Sequence, residues 1–215
     1  MIAASDLNGT LTTGSPILPL ATWAGKTDGG VRPKTFKVRL LYSYLWVKLG
    51  FVDTHIWADK YLRKGLDLIS SPTPERLDQA MAFIVETELW PKRKSEAVNF
   101  LKKLHGQGAE IILVSAAFEP AVDHFGKKIA ANNVTGMGTP VILQDGKLSL
   151  VDKLTIRERK MERLSEKLGS ARLDYALGDS IADLPMLESA INPVAVTPDI
   201  ELRKIALERD WRIIE

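Results

Sequence analysis

The chain opens with a short apolar run and a polar turn. Met1 to Ala4 are apolar, Asp6 ends the run, and a turn rich in glycine and threonine continues to Gly14. A short apolar run bounded by turn residues is typical of a buried strand. The pattern predicts a strand that delivers Asp6 to the edge of a sheet, where α/β folds bind ligands. An N-terminal strand with an ordinary polar turn is the alternative for this stretch alone.

From Pro91 onward, segments with helical periodicity alternate with short apolar segments. The predicted strands are 110–114, 173–177, 194–196 and 211–214, and the predicted helices are 95–105, 120–131, 154–168, 184–190 and 199–208. Asp145-Gly146 predicts a hairpin turn between two further strands, 141–144 and 147–150. Strands that alternate with helices predict an α/β fold with a doubly wound, mostly parallel, Rossmann-like sheet.

A largely helical segment separates the first strand from this alternation. Residues 15–33 contain three prolines and several glycines, which predict a loop. Residues 33–69 carry apolar side chains three and four positions apart, which predict two or three helices. The predicted domains are an α/β core of residues 1–14 and 92–215 and an inserted helical cap of residues 15–91. A cap beside the strand ends is placed to close over a substrate.

Composition narrows the class of protein. The chain has 215 residues, of which 45% are hydrophobic and 26% are charged, as in ordinary globular domains. The absence of cysteine excludes disulfides, thiol nucleophiles and zinc sites built on cysteine, and it fits a cytoplasmic protein. We expect no signal peptide and no membrane span.

Charge is unevenly distributed along the chain. The net charge is only +2, but residues 26–64 contain nine Lys or Arg against three Asp, a local balance of +6. The small net charge and the lack of a stacking platform argue against a nucleic-acid partner. Oligomeric state is left open by the sequence.

Polar residues follow three of the predicted strands. Asp6 and Ser115 end two of them, and Asp179 and Asp183 follow a third. Parallel strands bring these ends to one edge of the sheet. Clustered carboxylates repel one another unless a cation intervenes, and such hard oxygen ligands suit Mg²⁺. Taken alone, Asp183 is better explained as a helix cap than as a catalytic residue.

Four stretches carry a family resemblance. Asp6-Leu7-Asn8-Gly9-Thr10-Leu11-Thr12 resembles the first motif of the haloacid dehalogenase superfamily, Val114-Ser115-Ala116-Ala117 its second, Lys160 within Arg159-Lys160-Met161-Glu162 its third, and Gly178-Asp179-Ser180-Ile181-Ala182-Asp183 its fourth. The helical insert after the first motif and the segment 193–199 resemble the phosphoserine-phosphatase-like branch, subfamily IB. The resemblance covers essentially the whole chain.

The resemblance implies a Mg²⁺-dependent phosphatase that acts on a small phosphorylated substrate. Asp6 would attack phosphorus and form an aspartyl phosphate, which water then hydrolyses. Mg²⁺ would be held by the Asp6 carboxylate, the backbone carbonyl of Asn8 and the Asp179 side chain. These roles come from the resemblance alone.

The same resemblance assigns the phosphate-binding positions. Ser115 and Lys160 would hold the phosphoryl oxygens, together with Leu7, Asn8 and Ala116. Asp183 would orient Lys160 or support the metal shell. Without the resemblance, Lys160 is one of several basic residues on a solvated helix face.

Asn8 departs from the family pattern. Active phosphatases of this superfamily generally carry an acid two places after the nucleophile, and an amide does not transfer a proton at neutral pH. Loss of general acid–base catalysis costs about 10²–10⁴ in rate. Three explanations are open: a good leaving group or another proton donor, binding of phosphate compounds without turnover, and an engineered replacement of Asp. We favour a slow or selective hydrolase.

Two features bear on the substrate. Typical phosphoserine phosphatases place a glutamate for the substrate amino group shortly after the first motif. The corresponding residues here, 13–20, contain no acid, so the comparison disfavours phosphoserine. The cap is basic and aromatic, with Trp23, Tyr42, Tyr44, Trp46 and Trp57. These residues fit either a membrane-facing surface for lipid phosphates or the interior of the cap surrounded by solvated Lys and Arg; we favour the interior.

Overall fold

A six-stranded parallel sheet forms the centre of the computed structural model, which describes residues 1–151, 154–155 and 158–215. Its strands are β1 (Ile2–Asp6), β2 (Glu110–Phe118), β3 (Val134–Thr139), β6 (Leu173–Gly178), β7 (Ala190–Val196) and β8 (Arg212–Ile214). Their order is β3-β2-β1-β6-β7-β8. β4 (Val141–Gln144) and β5 (Lys147–Leu150) form the predicted antiparallel hairpin.

The helices follow the predicted alternation with the sheet. They are α1 (Ile17–Thr27), α2 (Arg32–Lys48), α3 (Thr54–Leu66), α4 (Pro74–Ile84), α5 (Ser95–Gly106), α6 (Glu119–Ile129), α7 (Glu158–Leu168), α8 (Leu184–Glu188) and α9 (Ile200–Glu208). A π-helical turn, Val85–Leu89, continues α4, and a 3₁₀ turn, Ile181–Asp183, precedes α8. The predicted fold class is confirmed. In the described part of the chain, no helix combines the length and apolar character that crossing a bilayer requires.

β1 lies in the middle of the sheet and sets the position of the site. Asp6 is aligned with Val114 of β2, and Ser5 is aligned with Leu177 of β6. Because all three strands are parallel, the residues that follow them meet at one edge. Both faces of this part of the sheet are covered by other elements, so Ala3, Ala4 and the 111–114 run have no solvent exposure. Burial on both faces explains why these strands are continuously apolar.

β3 has no counterpart among the predicted strands. Its sequence contains two glycines and two threonines, which mask the apolar signal. The structure gives a reason for these glycines, since a Cβ on Gly138 would lie 2.4 Å from the Cα of Glu119. The strand therefore packs against α6 through bare backbone.

The prediction of a loop for the first part of the insert is wrong. Residues 17–27 form α1, although the prolines of this region predict a loop. Pro16 immediately precedes α1 and Pro19 lies in its first turn, where backbone N–H groups have no intrahelical partner and proline is tolerated. Leu20 and Ala24 of α1 are fully buried, so tertiary packing stabilises the helix.

The helices predicted after residue 33 are present, but their apolar stripe faces outward. Val38, Leu41, Leu45 and Leu49 are between 55% and 68% exposed. The three-to-four spacing indicates a helix but does not identify the face that packs against the rest of the molecule.

The aromatic residues of the insert divide into two groups. Trp23 is buried at 5% exposure, as an interior role requires. Tyr42, Tyr44 and Trp46 are 63%, 41% and 42% exposed, so the favoured expectation that they form the interior of the cap is wrong. Trp57 is intermediate in exposure, because it is partly buried. Its indole N–H donates to Ser43 Oγ at 2.9 Å.

The two ends of the insert meet beside Asp6. The backbone N–H of Thr13 donates to the carbonyl of Lys92 at 3.1 Å, and that of Lys94 donates to Leu11 at 2.8 Å. α4 packs against both α1 and α6, so it touches the predicted core as well as the insert. The division into core and cap stays a prediction, and the chain leaves and re-enters the sheet region at a single place.

α7 is described from Glu158 onward, and Leu154 and Thr155, with which the sequence predicts it to begin, are not helical. Of the basic residues assigned to this helix from sequence, Lys153 and Arg157 lie outside the described residues. Lys160 and Arg163 lie on α7, and both are turned toward the sheet rather than toward solvent.

We expect Phe125→Ala to lower the free energy of unfolding by about 3–5 kcal/mol, the range for loss of a buried aromatic side chain. Phe125 is fully buried on α6, and its ring meets that of Trp90 edge-on at 5.3 Å. Urea unfolding followed by circular dichroism measures the change.

Leu207→Ala is the matched control for Phe125→Ala, because Leu207 is 67% exposed on α9. Its effect should stay within about 0.5 kcal/mol. Equal effects of the two substitutions would contradict the packing described here.

Candidate active site

A buried lysine joins two carboxylates at the carboxyl end of β1. Lys160 Nζ lies 2.5 Å from Asp6 Oδ1 and 2.8 Å from Asp183 Oδ1. Asp6, Lys160 and Asp183 are 4%, 7% and 2% exposed. Buried ionised groups are tolerated when they are paired and hydrogen-bonded, so the three side chains depend on one another.

Asp183 is engaged on both of its oxygens. Its Oδ1 accepts from Lys160, and its Oδ2 accepts from the backbone N–H groups of Asp179 at 3.3 Å and Ser180 at 3.4 Å. Ser180 and Asp183 together form a capping box at the start of the 3₁₀ turn. Asp183 is therefore both a cap and a contact of Lys160; its orienting role stays a prediction.

Thr10 connects the remaining carboxylates. Its hydroxyl lies 2.7 Å from Asp179 Oδ1 and 3.2 Å from Asp6 Oδ2. Carboxylate oxygens of Asp6, Asp179 and Asp183 lie within 4.8 Å of one another. Thr10 is not among the predicted site residues. The signal for Thr10 in the sequence was its position four residues after Asp6, in the tight loop that follows β1.

Burial and crowding control the ionisation of the site. Burial raises the pKa of Asp6, Lys160 opposes the shift, and the neighbouring Asp183 and Asp179 add to it. Burial also raises the pKa of Asp179, while the hydrogen bond from the Thr10 hydroxyl lowers it. Burial alone would lower the pKa of Lys160, but Asp6 and Asp183 outweigh it and hold the pKa above its ordinary value. The lysine remains charged, and a further cation would stabilise the ionised carboxylates.

Asn8 is held between Ser115 and the next loop. Ser115 Oγ donates to Asn8 Oδ1 at 3.0 Å, and Asn8 Nδ2 donates to the carbonyl of Gly14 at 3.0 Å. Ser115 Oγ also accepts from the backbone N–H of Ala117 at 3.2 Å. The structure thus brings Ser115 to the predicted edge of the site through contact with Asn8.

Leu7 and Ala116 are placed differently from the charged residues. The Leu7 side chain is fully buried, so this residue has only its backbone to offer a ligand. The carbonyl of Ala116 accepts from Thr139 Oγ1 at 2.9 Å. Their phosphate-binding roles stay predictions.

Two glycines permit the close packing of the acidic residues. Gly9 has a φ of +98°, and a Cβ at this position would lie 2.2 Å from Asp179 Oδ2. A Cβ on Gly178 would lie 2.5 Å from the Cβ of Asp183. Larger residues at either position would displace an acidic side chain.

Arg163 fixes α7 so that Lys160 reaches the site. Its guanidinium pairs with Glu119 Oε2 at 2.6 Å, contacts the Gly138 carbonyl, and lies 3.3 Å from Thr155 Oγ1. Arg163 follows Lys160 by three residues, so both project from one face of the helix. The ion pair ties α7 to the start of α6.

Lys94 is a second cation near the site that sequence reasoning missed. Partial burial lowers its pKa, and the fields of Asp179 and Asp6 oppose that shift. In the sequence it follows Lys92 and Arg93 and has no distinguishing pattern. The pairing of its backbone with Leu11 brings it back to the first loop.

The parallel α/β sheet places a cluster of carboxylates at the carboxyl ends of its central strands, where α/β folds bind ligands. The chain belongs to the haloacid dehalogenase-like hydrolase family, whose sequence model matches residues 3–188. The resemblance of the four motifs is confirmed.

Individual proteins and structures agree with this family. A probable phosphatase of Mycobacterium tuberculosis (strain ATCC 25618 / H37Rv) is 34% identical over 112 residues, which are 50% of this chain and 38% of that protein. The chain spans less than half the length of the curated relatives it matches.

Solved structures share the fold. A protein of unknown function from Bordetella pertussis Tohama I has a TM-score of 0.76 and 21% identity, covering 100% of this chain and 97% of that one. A substrate-bound phosphoserine phosphatase has a TM-score of 0.60 and 19% identity, covering 100% of this chain and 92% of that one.

We expect Gly9→Ala to weaken Mg²⁺ binding about 10–100-fold, the usual effect of displacing a group that supports a metal site. The added Cβ would clash with the Asp179 carboxylate. Calorimetric titration with Mg²⁺ measures the loss.

Gly108→Ala is the matched control for Gly9→Ala. Gly108 has a similar φ of +89° but open space around its Cβ position, so the two substitutions share the backbone strain. The control should cost about 1–2 kcal/mol of stability and leave Mg²⁺ affinity unchanged. Equal losses of affinity in both variants would refute the role assigned to the close approach.

Proposed function

We propose that the chain is a Mg²⁺-dependent phosphatase that acts through an aspartyl phosphate on a small phosphorylated metabolite other than phosphoserine. The observation that carries the proposal is the placement of Asp6 at the end of β1, with Lys160 Nζ at 2.5 Å and with Thr10 linking it to Asp179. The composition without cysteine supports a cytoplasmic protein.

Asp6 is the nucleophile of the proposed reaction. A carboxylate oxygen attacks phosphorus, the bond from phosphorus to the ester oxygen breaks, and its electron pair leaves with that oxygen. Water then attacks the phosphorus of the aspartyl phosphate and restores the carboxylate. Lys160, buried and charged, offsets the negative charge that gathers on the phosphoryl oxygens. The Ser115 hydroxyl, which donates to Asn8 Oδ1 in the structure, would turn to donate to one of these oxygens when substrate is bound.

The acidic cluster fits a hard divalent cation. Asp6 and Asp179 have pKa values raised by burial and by other carboxylates, and Lys160 is the paired cation at the cluster. Asp6, Asp179 and the backbone carbonyl of Asn8 would hold Mg²⁺, which supplies positive charge against the phosphoryl oxygens when bound. Asp183 is already engaged by Lys160 and two amides, so we assign it a positioning role.

Asn8 limits the first step. Its amide is oriented by Ser115 and by the Gly14 carbonyl, and an amide has no proton to transfer to the leaving oxygen. The leaving group must therefore depart as an anion or take a proton from water. Esters of more acidic alcohols, such as phenols, should react faster than alkyl phosphates.

A second candidate function follows from the same residue. Because both ends of the Asn8 amide are hydrogen-bonded, the site is well ordered without a general acid. This arrangement supports a protein that binds phosphate compounds and Mg²⁺ without turnover. The experiment below separates it from the slow phosphatase.

We expect Asn8→Asp to raise the rate of phosphate release from an alkyl phosphate by about 10²–10⁴, the usual contribution of general acid–base catalysis. A protonated carboxyl at this position would donate to the Gly14 carbonyl in place of the amide, which favours the acid form that the first step needs. The gain should be smaller for 4-nitrophenyl phosphate, because that leaving group departs without a proton. Steady-state phosphate release with Mg²⁺ measures both.

Asp6→Asn is the control for this experiment. It removes the nucleophile, so phosphate release should fall to background whether position 8 carries Asn or Asp. Beryllium fluoride binding that requires Mg²⁺, combined with no phosphate release from the unchanged chain, would instead identify the binding protein. Phosphate release above background that Asp6→Asn leaves unchanged would overturn both candidates.

A further inference from the structure

A cavity of about 710 Å³ opens beside the site and extends into the insert. One end is formed by the loop after β1 and the residues after Ser115: Asn8, Gly9, Thr12, Thr13, Gly14, Ser15, Ala116 and Ala117. Its volume falls in the range of pockets that hold a drug-sized ligand. A phosphoryl group fills only a small part of such a space, so the remainder receives the alcohol portion of a substrate.

The far wall of this cavity is apolar. Its side chains come from three helices of the insert and from Pro16: Ile17, Leu18, Leu40, Leu41, Tyr44, Trp57, Ala58 and Leu62, with Thr54 as the polar exception. Among the described residues, none of those lining the cavity carries a charge. A buried ammonium or carboxylate without an ionic partner is strongly disfavoured, so this wall does not suit a charged alcohol portion.

We propose that the cavity binds the apolar alcohol portion of a phosphate monoester, with an alkyl chain or an alkyl-substituted ring against the helices of the insert. This substrate class rests on the proposed phosphatase function. Leu18 and Leu41 line the cavity and are also 41% and 60% exposed, so they form its rim. A substrate longer than the cavity extends past this rim without a steric barrier.

The test uses phenyl, 4-ethylphenyl and 4-butylphenyl phosphate. Their leaving groups have nearly the same acidity, so only the apolar length changes and Asn8 affects all three equally. Burial of each methylene is expected to raise kcat/KM about fourfold. Substrates are kept monomeric, and phosphate release with Mg²⁺ is measured.

Leu41→Glu and Leu45→Glu form a matched pair for this test. Both residues are exposed on α2, at 60% and 55%, but only Leu41 lines the cavity. Leu41→Glu should abolish the dependence on chain length, whereas Leu45→Glu should leave both the dependence and the turnover of phenyl phosphate unchanged. A dependence on length that Leu41→Glu does not change would overturn the assignment of the cavity.

The failure of this inference is distinguishable from failure of the proposed function. Turnover of phenyl phosphate with no gain from the butyl group overturns the apolar subsite alone. Absence of all turnover overturns the phosphatase, and calorimetric binding of 4-butylphenylphosphonate against phenylphosphonate then decides the subsite separately. Equal affinities for these two compounds would overturn it.

A second observation concerns the outside of the insert. Ten of the twenty large hydrophobic side chains that are exposed in the described part of the chain lie within residues 38–56. On this surface, Tyr42 meets Trp46 edge-on at 6.3 Å and Trp46 meets Phe51 at 5.5 Å. Concentrated exposed apolar side chains mark an interaction surface. We call the exposed side of α2 and its continuation to Ile56 the outer face.

The positive charge of α2 indicates which kind of partner the outer face binds. α2 contains five basic residues, Arg32, Lys34, Lys37, Arg39 and Lys48, and no acidic residue. Two copies of the chain would bring like charges together if they met through this face, which disfavours self-association. Basic residues beside exposed Trp, Tyr and Leu suit a helix that lies at the surface of an anionic bilayer.

We propose, on this separate observation, that the outer face binds anionic lipid bilayers. Co-sedimentation with vesicles of phosphatidylcholine plus phosphatidylglycerol, against vesicles of phosphatidylcholine alone, measures it at low and high salt. We expect binding to the anionic vesicles, weakened by salt. Each basic residue near the surface contributes about fivefold to partitioning, so Lys34→Gln with Arg39→Gln should reduce binding about 25-fold.

Controls distinguish the outer face from general basicity. Lys103→Gln with Lys204→Gln removes two exposed charges from α5 and α9 and should leave vesicle binding nearly unchanged. Trp46→Gln should weaken binding, whereas Ile200→Gln, at a residue that is 89% exposed on α9, should not. No binding of the unchanged chain to anionic vesicles, equal losses in both charge pairs, or lipid-free self-association that Trp46→Gln removes would overturn the proposal.

Discussion

The contact of Lys160 with Asp6 and Asp183 is the interaction on which the site depends. Each of these side chains is almost completely excluded from water, and none would stay ionised there alone. The lysine carries one charge against two carboxylates, with Asp179 close by. The cluster therefore remains short of positive charge, which favours a cation and, at the moment of reaction, disfavours any displacement of Lys160.

Several distant parts of the chain serve this contact. Arg163 anchors α7 to α6 and thereby sets the height of Lys160 above the sheet. The backbone amides after β6 hold Asp183, and Gly9 lets Asp179 approach the first loop. Since β1 lies between β2 and β6, all of these residues meet without a long connection crossing the site. The chemistry of the cluster thus depends on the parallel arrangement of the sheet.

The elements that could be predicted from the sequence are those with strong local signals. β1, the hairpin at Asp145 and most helices of the second half have periodic or turn signals within their own residues, and they were predictable. α1 was not, because its prolines were interpreted without knowledge that they fall in the first turn. The contact of Thr10 with Asp179 and the approach of Lys94 to the first loop depend on pairing of segments far apart in sequence. The outward direction of Tyr42 and Trp46 depends on which side of α2 packs against α1 and α3, which periodicity alone does not encode.

Asn8 and the apolar cavity constrain the chemistry together. An apolar wall excludes water from the alcohol portion of a bound ester, which removes the nearest alternative source of a proton for the leaving oxygen. A departing alkoxide would be unstable in that environment, while a delocalised anion such as a phenolate would be far less so. The amide at residue 8 and the uncharged lining of the cavity therefore favour the same substrates: apolar esters whose leaving group needs no proton. An acid at residue 8 would relax this restriction without any change in the walls of the cavity, so selectivity for the leaving group and selectivity for its apolar part are separable properties of this site.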